Sequence, residues 1–253
     1  MNDRLEGPAP AETATDHPET TETGARPQIR EALAGQLDFT GQYAAKPDML
    51  RAADFLDEGE ALPTLEEIMS TFTPEELEIA GEYEKPRLVL VPDNSFAAKV
   101  KALNACRHPM KKGDTYVHPG YEDSDSGPEE ATGWRAFIVN GKLLKANTPE
   151  APMGERERKR KKTRKEHERG MERHTRAMLT LETMANGDPI DQAHCVILDD
   201  DPLLSDTHVP YAGFDTESEE LSFYLGRATT IDNGTRFCSS VGGHVLIPRK
   251  RSS

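Results

Sequence analysis

A chain of 253 residues can bury a sizeable core without disulfide or metal staples. Its composition supplies little material for that core: 35% hydrophobic and 6% aromatic residues stand against 30% charged, so part of the chain is expected to stay unpacked. The formal net charge of −14 argues against a surface that binds nucleic acid at large, and it makes any concentrated positive run stand out.

Residues 1–28 are rich in Pro, Glu, Thr and Ala and carry no hydrophobic period, so a disordered acidic tail is expected there. Ile29, Leu33 and Leu37 have helical spacing, but Gly35 and Gly41 weaken a helix in this stretch. Thr64 with Glu67 forms a capping box ahead of the apolar stripe Leu65, Ile68, Met69 and Phe72. Thr73-Pro74-Glu75-Glu76 repeats the start signal, which predicts two short consecutive helices breaking at Thr73. The run Arg87 to Val91 between Pro86 and Pro92 reads as a buried strand. Asp93-Asn94-Ser95 then caps a helix with Phe96, Val100 and Leu103 on one face and Lys99 and Lys101 outside. Residues 107–132 read as loop, acidic and mobile between Glu122 and Glu130. Trp134 to Val139 is β-forming, and Asn140-Gly141 predicts a hairpin turn returning through Lys142 to Lys145.

From Glu155 to Ala185 the composition is helical apart from Gly170. Met171, Thr175, Met178, Leu181 and Met184 mark the buried stripe of the second half, and Asn186 to Pro189 ends the helix. The remainder reads as β: Cys195 to Leu198, Leu221 to Leu225, and two strands between Arg236 and Ile247 around Gly242-Gly243, with a tight turn at Asp232-Asn233-Gly234. The predicted fold is α+β, with four parts: the 1–28 tail, an α+β region over 29–150, a basic helical segment over 151–170, and a helix plus β-rich region over 171–253.

Chemistry has one strong signal. Arg156, Arg158, Lys159, Arg160, Lys161, Lys162, Arg164 and Lys165 make eight basic residues in a run of ten that holds one acid, Glu157. On a helix these charges surround the axis, so the segment is expected to project into solvent, where it could neutralise several phosphates of a nucleic acid or meet an acidic protein. Two blander readings compete: a solvated helix paired internally with Glu155, Glu157, Glu166, Glu168 and Glu172, or docking on the chain's own acids at 122–130 or 199–201. No aromatic interleaves the run, so stacking on single-stranded bases has no support.

Other constellations fall short. Cys106, Cys195 and Cys238 are odd in number and widely spaced, against a disulfide framework or zinc ribbon. His167 and His174 lie two turns apart on a helix, while Cys106 with His108 and His194 with Cys195 lack partners at zinc spacing. Asp123, Asp125, Glu129 and Glu130 miss the calcium-loop pattern, and Asp199 to Asp201 reads as a turn, so no metal or cofactor is expected. No nucleophile elbow, phosphate loop or dinucleotide fingerprint is present. The first twenty residues hold no apolar signal core, and the longest apolar run, Leu88 to Val91, is far short of a bilayer span. A cytoplasmic protein with reduced thiols and no membrane contact is expected.

Three stretches resemble a group of uncharacterised bacterial proteins: Arg87 to Phe96 with Val100 to Asn104, Met178 and Leu181 through Asn186 to Asp191, and Val209-Pro210-Tyr211 to Phe223 with Thr235 to Gly243. That resemblance implies no activity and carries over no site residue. The final strands are also similar to the end of C-type-lectin-like folds, which implies a compact β-rich C-terminal half with the 171–185 helix packed on it. The functional expectation is a non-catalytic binding or scaffold protein whose basic helix contacts a polyanion. The alternative is an enzyme with a site in the C-terminal β region, where Asp206, His208, Arg236 and His244 would have to converge.

Overall fold

The computed structural model describes residues 37–122, 124, 127–141, 144–145, 166–188, 196–198, 201, 203, 205, 208–215, 217–227 and 236–250. The expected tail over 1–28, the basic run 156–165 and the turn at Asp232 to Gly234 lie outside them.

Where the chain carries its own caps, helices form as the sequence predicts. Thr64 and Thr73 each accept a hydrogen bond from the backbone of the glutamate three residues on, and Glu67 and Glu76 return the bond, closing two capping boxes. Two short helices come first, α1 (Thr40–Ala44) and α2 (Lys46–Ala52). The boxes then start α3 (Leu65–Met69) and α4 (Pro74–Gly81). Strand β1 (Pro86–Pro92) follows, and Ser95 caps α5 (Phe96–Ala105) by accepting from Ala98 N.

Lys99 corrects the sequence reading of α5. It lies inside, 1% exposed, with its ammonium donating to Asn94 O and Asn94 Oδ1, both at 2.8 Å. Position 99 is three residues after Phe96 and four before Leu103, so it belongs to the buried face. The cation is tolerated there because the β1–α5 connection turns its oxygens inward. Lys99→Met is expected to cost about 1–3 kcal/mol in urea unfolding, since those oxygens lose their donor.

Between α5 and the next long strand run β2 (Tyr116–Val117) and the single turn α6 (Pro119–Glu122). The acidic loop, expected to be mobile, is fastened at its described points. Ser95 N donates to Pro128 O, Ser124 is held by Arg173, and Tyr121 is fully buried.

Strand β3 (Gly133–Asn140) is the centre of the first sheet. It runs antiparallel to β1 along seven paired positions, from Pro86 opposite Asn140 to Pro92 opposite Trp134. Its other edge is shared by β9 (Ser240–Gly242) and β10 (Ile247–Pro248). The predicted hairpin is therefore absent. Gly141 N donates to Lys85 O, and β4 (Leu144–Lys145) pairs with β8 (Arg236–Phe237) instead. Ala136 to Val139 are buried in succession, so β3 needs apolar neighbours on both edges, which Lys142 to Lys145 does not supply. The free edge of β1 is closed by a side chain: Gln42 donates to Pro86 O and accepts from Leu88 N, as a neighbouring strand would.

The second sheet has the order β2, β7 (Glu220–Arg227), β6 (His208–Asp215), β5 (Val196–Ile197), β8, β4. Its backbone is the antiparallel β6–β7 pair, from His208 opposite Arg227 to Asp215 opposite Glu220. Both sheets join early and late parts of the chain, since β9 and β10 complete the first and β2 enters the second.

The long helix, α7 (Arg173–Ala185), packs chiefly on α5 and β1 rather than on the C-terminal strands. Its stripe of Met171, Thr175, Met178, Leu181 and Met184 is buried as the spacing predicts, but so are Arg173, Arg176 and Glu182. Phe96 meets Phe223 of β7 edge-on, with ring centroids 5.0 Å apart, which brings the α5–α7 pair against the second sheet. Gly187, at φ +70°, ends the helix, with Asp188 N donating to Thr183 O.

Candidate functional site

The residues just after the basic run are not helical, which corrects the expected continuous helix over 155–185. Glu166 and His167 form an exposed turn, with His167 at φ +73°. Arg169 then pairs with Ser240 of β9 through two backbone hydrogen bonds of 2.7 and 2.9 Å, and its guanidinium donates to Gly242 O. Ser240 Oγ donates to Gly170 O, and Tyr83 donates to Glu168. This strand-like docking consumes the backbone groups that a helix would use internally, so α7 begins only after Glu172. On the other side of the run, β4 is fixed to β8. The segment bearing Arg156, Arg158, Lys159, Arg160, Lys161, Lys162, Arg164 and Lys165 is thus bounded by anchors on both sheets, Lys145 before it and Arg169 after it.

Two polar clefts flank α7. The larger, about 400 Å³, lies where the end of β1 meets the starts of α5 and α7. Arg173 is its hub. The guanidinium donates to Ser124 Oγ at 2.6 Å, lies 3.5 Å from Asp201 Oδ2, and sits 5.1 Å from the centre of the Tyr121 ring and 5.7 Å from that of Phe96. Asp201 accepts from Leu203 N. Asp93 is spent on fastening β3: burial pushes its carboxyl up, but hydrogen bonds from Thr132 and Gly133 outweigh that and hold it below the ordinary carboxylate value. Arg173 and Asp201 hold loops to α7, and Asp93 holds the start of β3 to the end of β1.

The smaller cleft, about 240 Å³, lies between the α1–α2 arm, the start of β1 and the end of α7. Lys46 and Glu182 form a buried pair there, with Nζ and Oε1 2.5 Å apart, and Arg87 Nη2 stands 3.8 Å from Glu182 Oε2. Burial pushes the Glu182 carboxyl above its ordinary value, against the pull of Lys46 and Arg87.

Of the residues singled out by sequence chemistry, Glu172, His174 and Asp201 line the larger cleft, His174 edge-on to Phe96, and none lines the smaller. His108 is buried and structural, its Nε2 on Asp188 O and its Nδ1 accepting from Met110 N. Of the four residues proposed for a C-terminal enzyme site, His208 and His244 go with different sheets, His208 in β6 and His244 after β9. His208 is exposed at the start of β6, Arg236 lies in β8 opposite Val196 and Lys145, His244 follows β9 beside Glu76 of α4, and Asp206 lies outside the described residues. Among the described residues no group of three His, Cys, Asp or Glu could hold a metal ion, and no helix is long and apolar enough to cross a membrane. What sequence reasoning missed, Arg173, Lys46, Arg87 and Glu182, carried one usable signal: Glu182 stands four residues after Met178, inside the apolar span of α7. Comparison with known proteins finds no matching family model, no matching curated protein and no matching solved structure.

Proposed function

We propose that the protein is a non-catalytic binding or scaffold protein that engages a polyanion through residues 156–165. The observation that carries this reading is the charge contrast: eight cations and one acid in ten residues, within a chain whose net charge is −14. Two structural facts support it. The described backbone nearest the run on either side is paired, Lys145 of β4 with Arg236 and Arg169 with Ser240. Asp201, one of the acids on which the run could have docked, is already engaged by Arg173. The convergence that a C-terminal enzyme site would need has no counterpart in the positions of His208 and His244.

The test is fluorescence anisotropy with a labelled duplex of about 20 base pairs, in salt rising from about 50 to 200 mM. Wild type is expected to bind at the low end and to lose about 10³-fold or more across that range. Replacing Lys159, Arg160, Lys161 and Lys162 together with Ala should abolish the interaction, flatten the salt slope by about 3–4, and leave the urea midpoint unchanged. Absence of binding by wild type at the low end, to duplex DNA, duplex RNA and heparin alike, would refute the proposal.

A further inference from the structure

The smaller cleft holds more positive than negative charge in a nearly dry setting. Lys46 is 2% exposed and Glu182 7%. Lys46 gives one of its three donors to Glu182 Oε1, and Arg87 lies beyond hydrogen-bond reach of Oε2 at 3.8 Å. Among the described residues the guanidinium of Arg87 donates no hydrogen bond, although the side chain is 29% exposed and lines this cleft. Among the described residues two cations therefore share one carboxylate, and the guanidinium fork of Arg87, part of it open to water, has no acceptor. Such a surplus is costly in low dielectric unless something supplies the missing charge. Asn186, at the end of α7, lines the same space. Gln42, the other amide there, is used up on the edge of β1, so that wall is fixed.

We infer that this cleft is a binding site for a small oxyanion, a carboxylate or phosphate group held between Arg87, Lys46 and Asn186. The guanidinium fork matches two oxygens of such a group, which a lone ammonium cannot do. Size sets the class: about 240 Å³ holds on the order of eight waters, enough for phosphate or a short carboxylate but not for a nucleotide. Once bound, the anion would join the α1–α2 arm, β1 and α7, three elements that otherwise meet here through the Lys46–Glu182 pair and the Gln42 amide. This site is separate from residues 156–165 and does not depend on their role.

To keep the two apart, the experiment uses the full chain with Lys159 to Lys162 replaced by Ala. Inorganic phosphate and acetate are titrated separately at ionic strength held constant with sodium chloride, and Tm and backbone amide NMR shifts are followed. At least one of the two anions is expected to raise Tm saturably and to move the amides of Gly41, Arg87 and Asn186. The stronger of the two identifies the source chemistry. Arg87→Gln, which breaks no hydrogen bond within the fold, should weaken binding at least 10-fold with its own Tm unchanged. Arg87→Lys should restore only part of the affinity, and Glu182→Gln should tighten it by removing the competing carboxylate. No saturable shift with either anion, or equal affinity in Arg87→Gln, overturns the inference.

Discussion

Arg173→Ala is expected to lower the free energy of unfolding by about 3–5 kcal/mol, read as a fall in the urea midpoint at unchanged slope. The magnitude follows from what stays behind. Asp201, with a side chain 0% exposed, would lose the guanidinium that lies 3.5 Å from its Oδ2 in a dry site. Ser124 would lose the guanidinium that fastens the 121–128 loop, and Tyr121 and Phe96 would lose the cation lying over their rings. Against a typical domain stability of about 5–15 kcal/mol, that loss leaves a protein close to unfolding. Arg173→Lys should recover only part, because an ammonium cannot reach Ser124 and Asp201 together while stacking on two rings. The informative control is Arg173→Met with Asp201→Leu. If isolation of a charge is the cause, removing both should cost much less than removing one. A drop below about 1 kcal/mol in Arg173→Ala would mean that water reaches the pair.

The sequence was most legible where structure is decided within ten residues. Both capping boxes, the β1–α5 unit and the end of α7 follow from local chemistry: a hydroxyl before an acid, an apolar run between prolines, Gly187 where a left-handed residue is required. The misreadings share one cause, a distant partner that outbids a local signal. Asn140-Gly141 is good hairpin chemistry, yet β3 pairs with β1, whose Arg87 to Val91 matches it position by position. The Glu166 to Glu172 stretch is composed like a helix, yet Ser240 captures the backbone of Arg169 from seventy residues away. Strand β6, which contains Pro210, was not among the predicted strands. In the sheet that residue stands opposite Leu225, and its carbonyl accepts from Leu198 N, which needs no donor from the proline.

The sites were harder to read than the fold. Lys99, Arg173, Arg176 and Glu182 all occupy buried faces of helices, where composition alone assigns them to solvent. Their spacing to Phe96 and to the methionines of α7 was the better guide, and it was outweighed by the habit of placing charge outside. Lys46 and Arg87 could not have been joined to Glu182 from sequence at all. The pairing exists only because the α1–α2 arm folds onto the start of β1 and the end of α7. The basic run is the reverse case: conspicuous in sequence, and outside the described residues.

Gly242→Ala should cost about 2–4 kcal/mol, against about 1 kcal/mol for Gly187→Ala, in the same urea assay. Both glycines have positive φ, +91° and +70°, so both substitutions incur the left-handed penalty of a side chain. They differ in what the new methyl meets. At Gly187 nothing lies within 4 Å, whereas at Gly242 a Cβ would stand 2.4 Å from Phe72 Cε1 and 2.6 Å from the backbone oxygen of Ala136. Neither neighbour can yield cheaply. Phe72 is fully buried, and Ala136 lies in β3, fixed by its register with β1. The strand carrying Gly242 is itself held, its N–H donating to Glu76 Oε1 and its carbonyl accepting from Arg169. Relief by moving β9 would therefore loosen the anchor that follows the basic run, and Gly242→Ala should raise protease sensitivity around residues 166–170 as well as lower the urea midpoint. Equal losses for the two variants would show that backbone conformation alone requires glycine at 242, and that the close approach of β9 to Phe72 is not what fixes it.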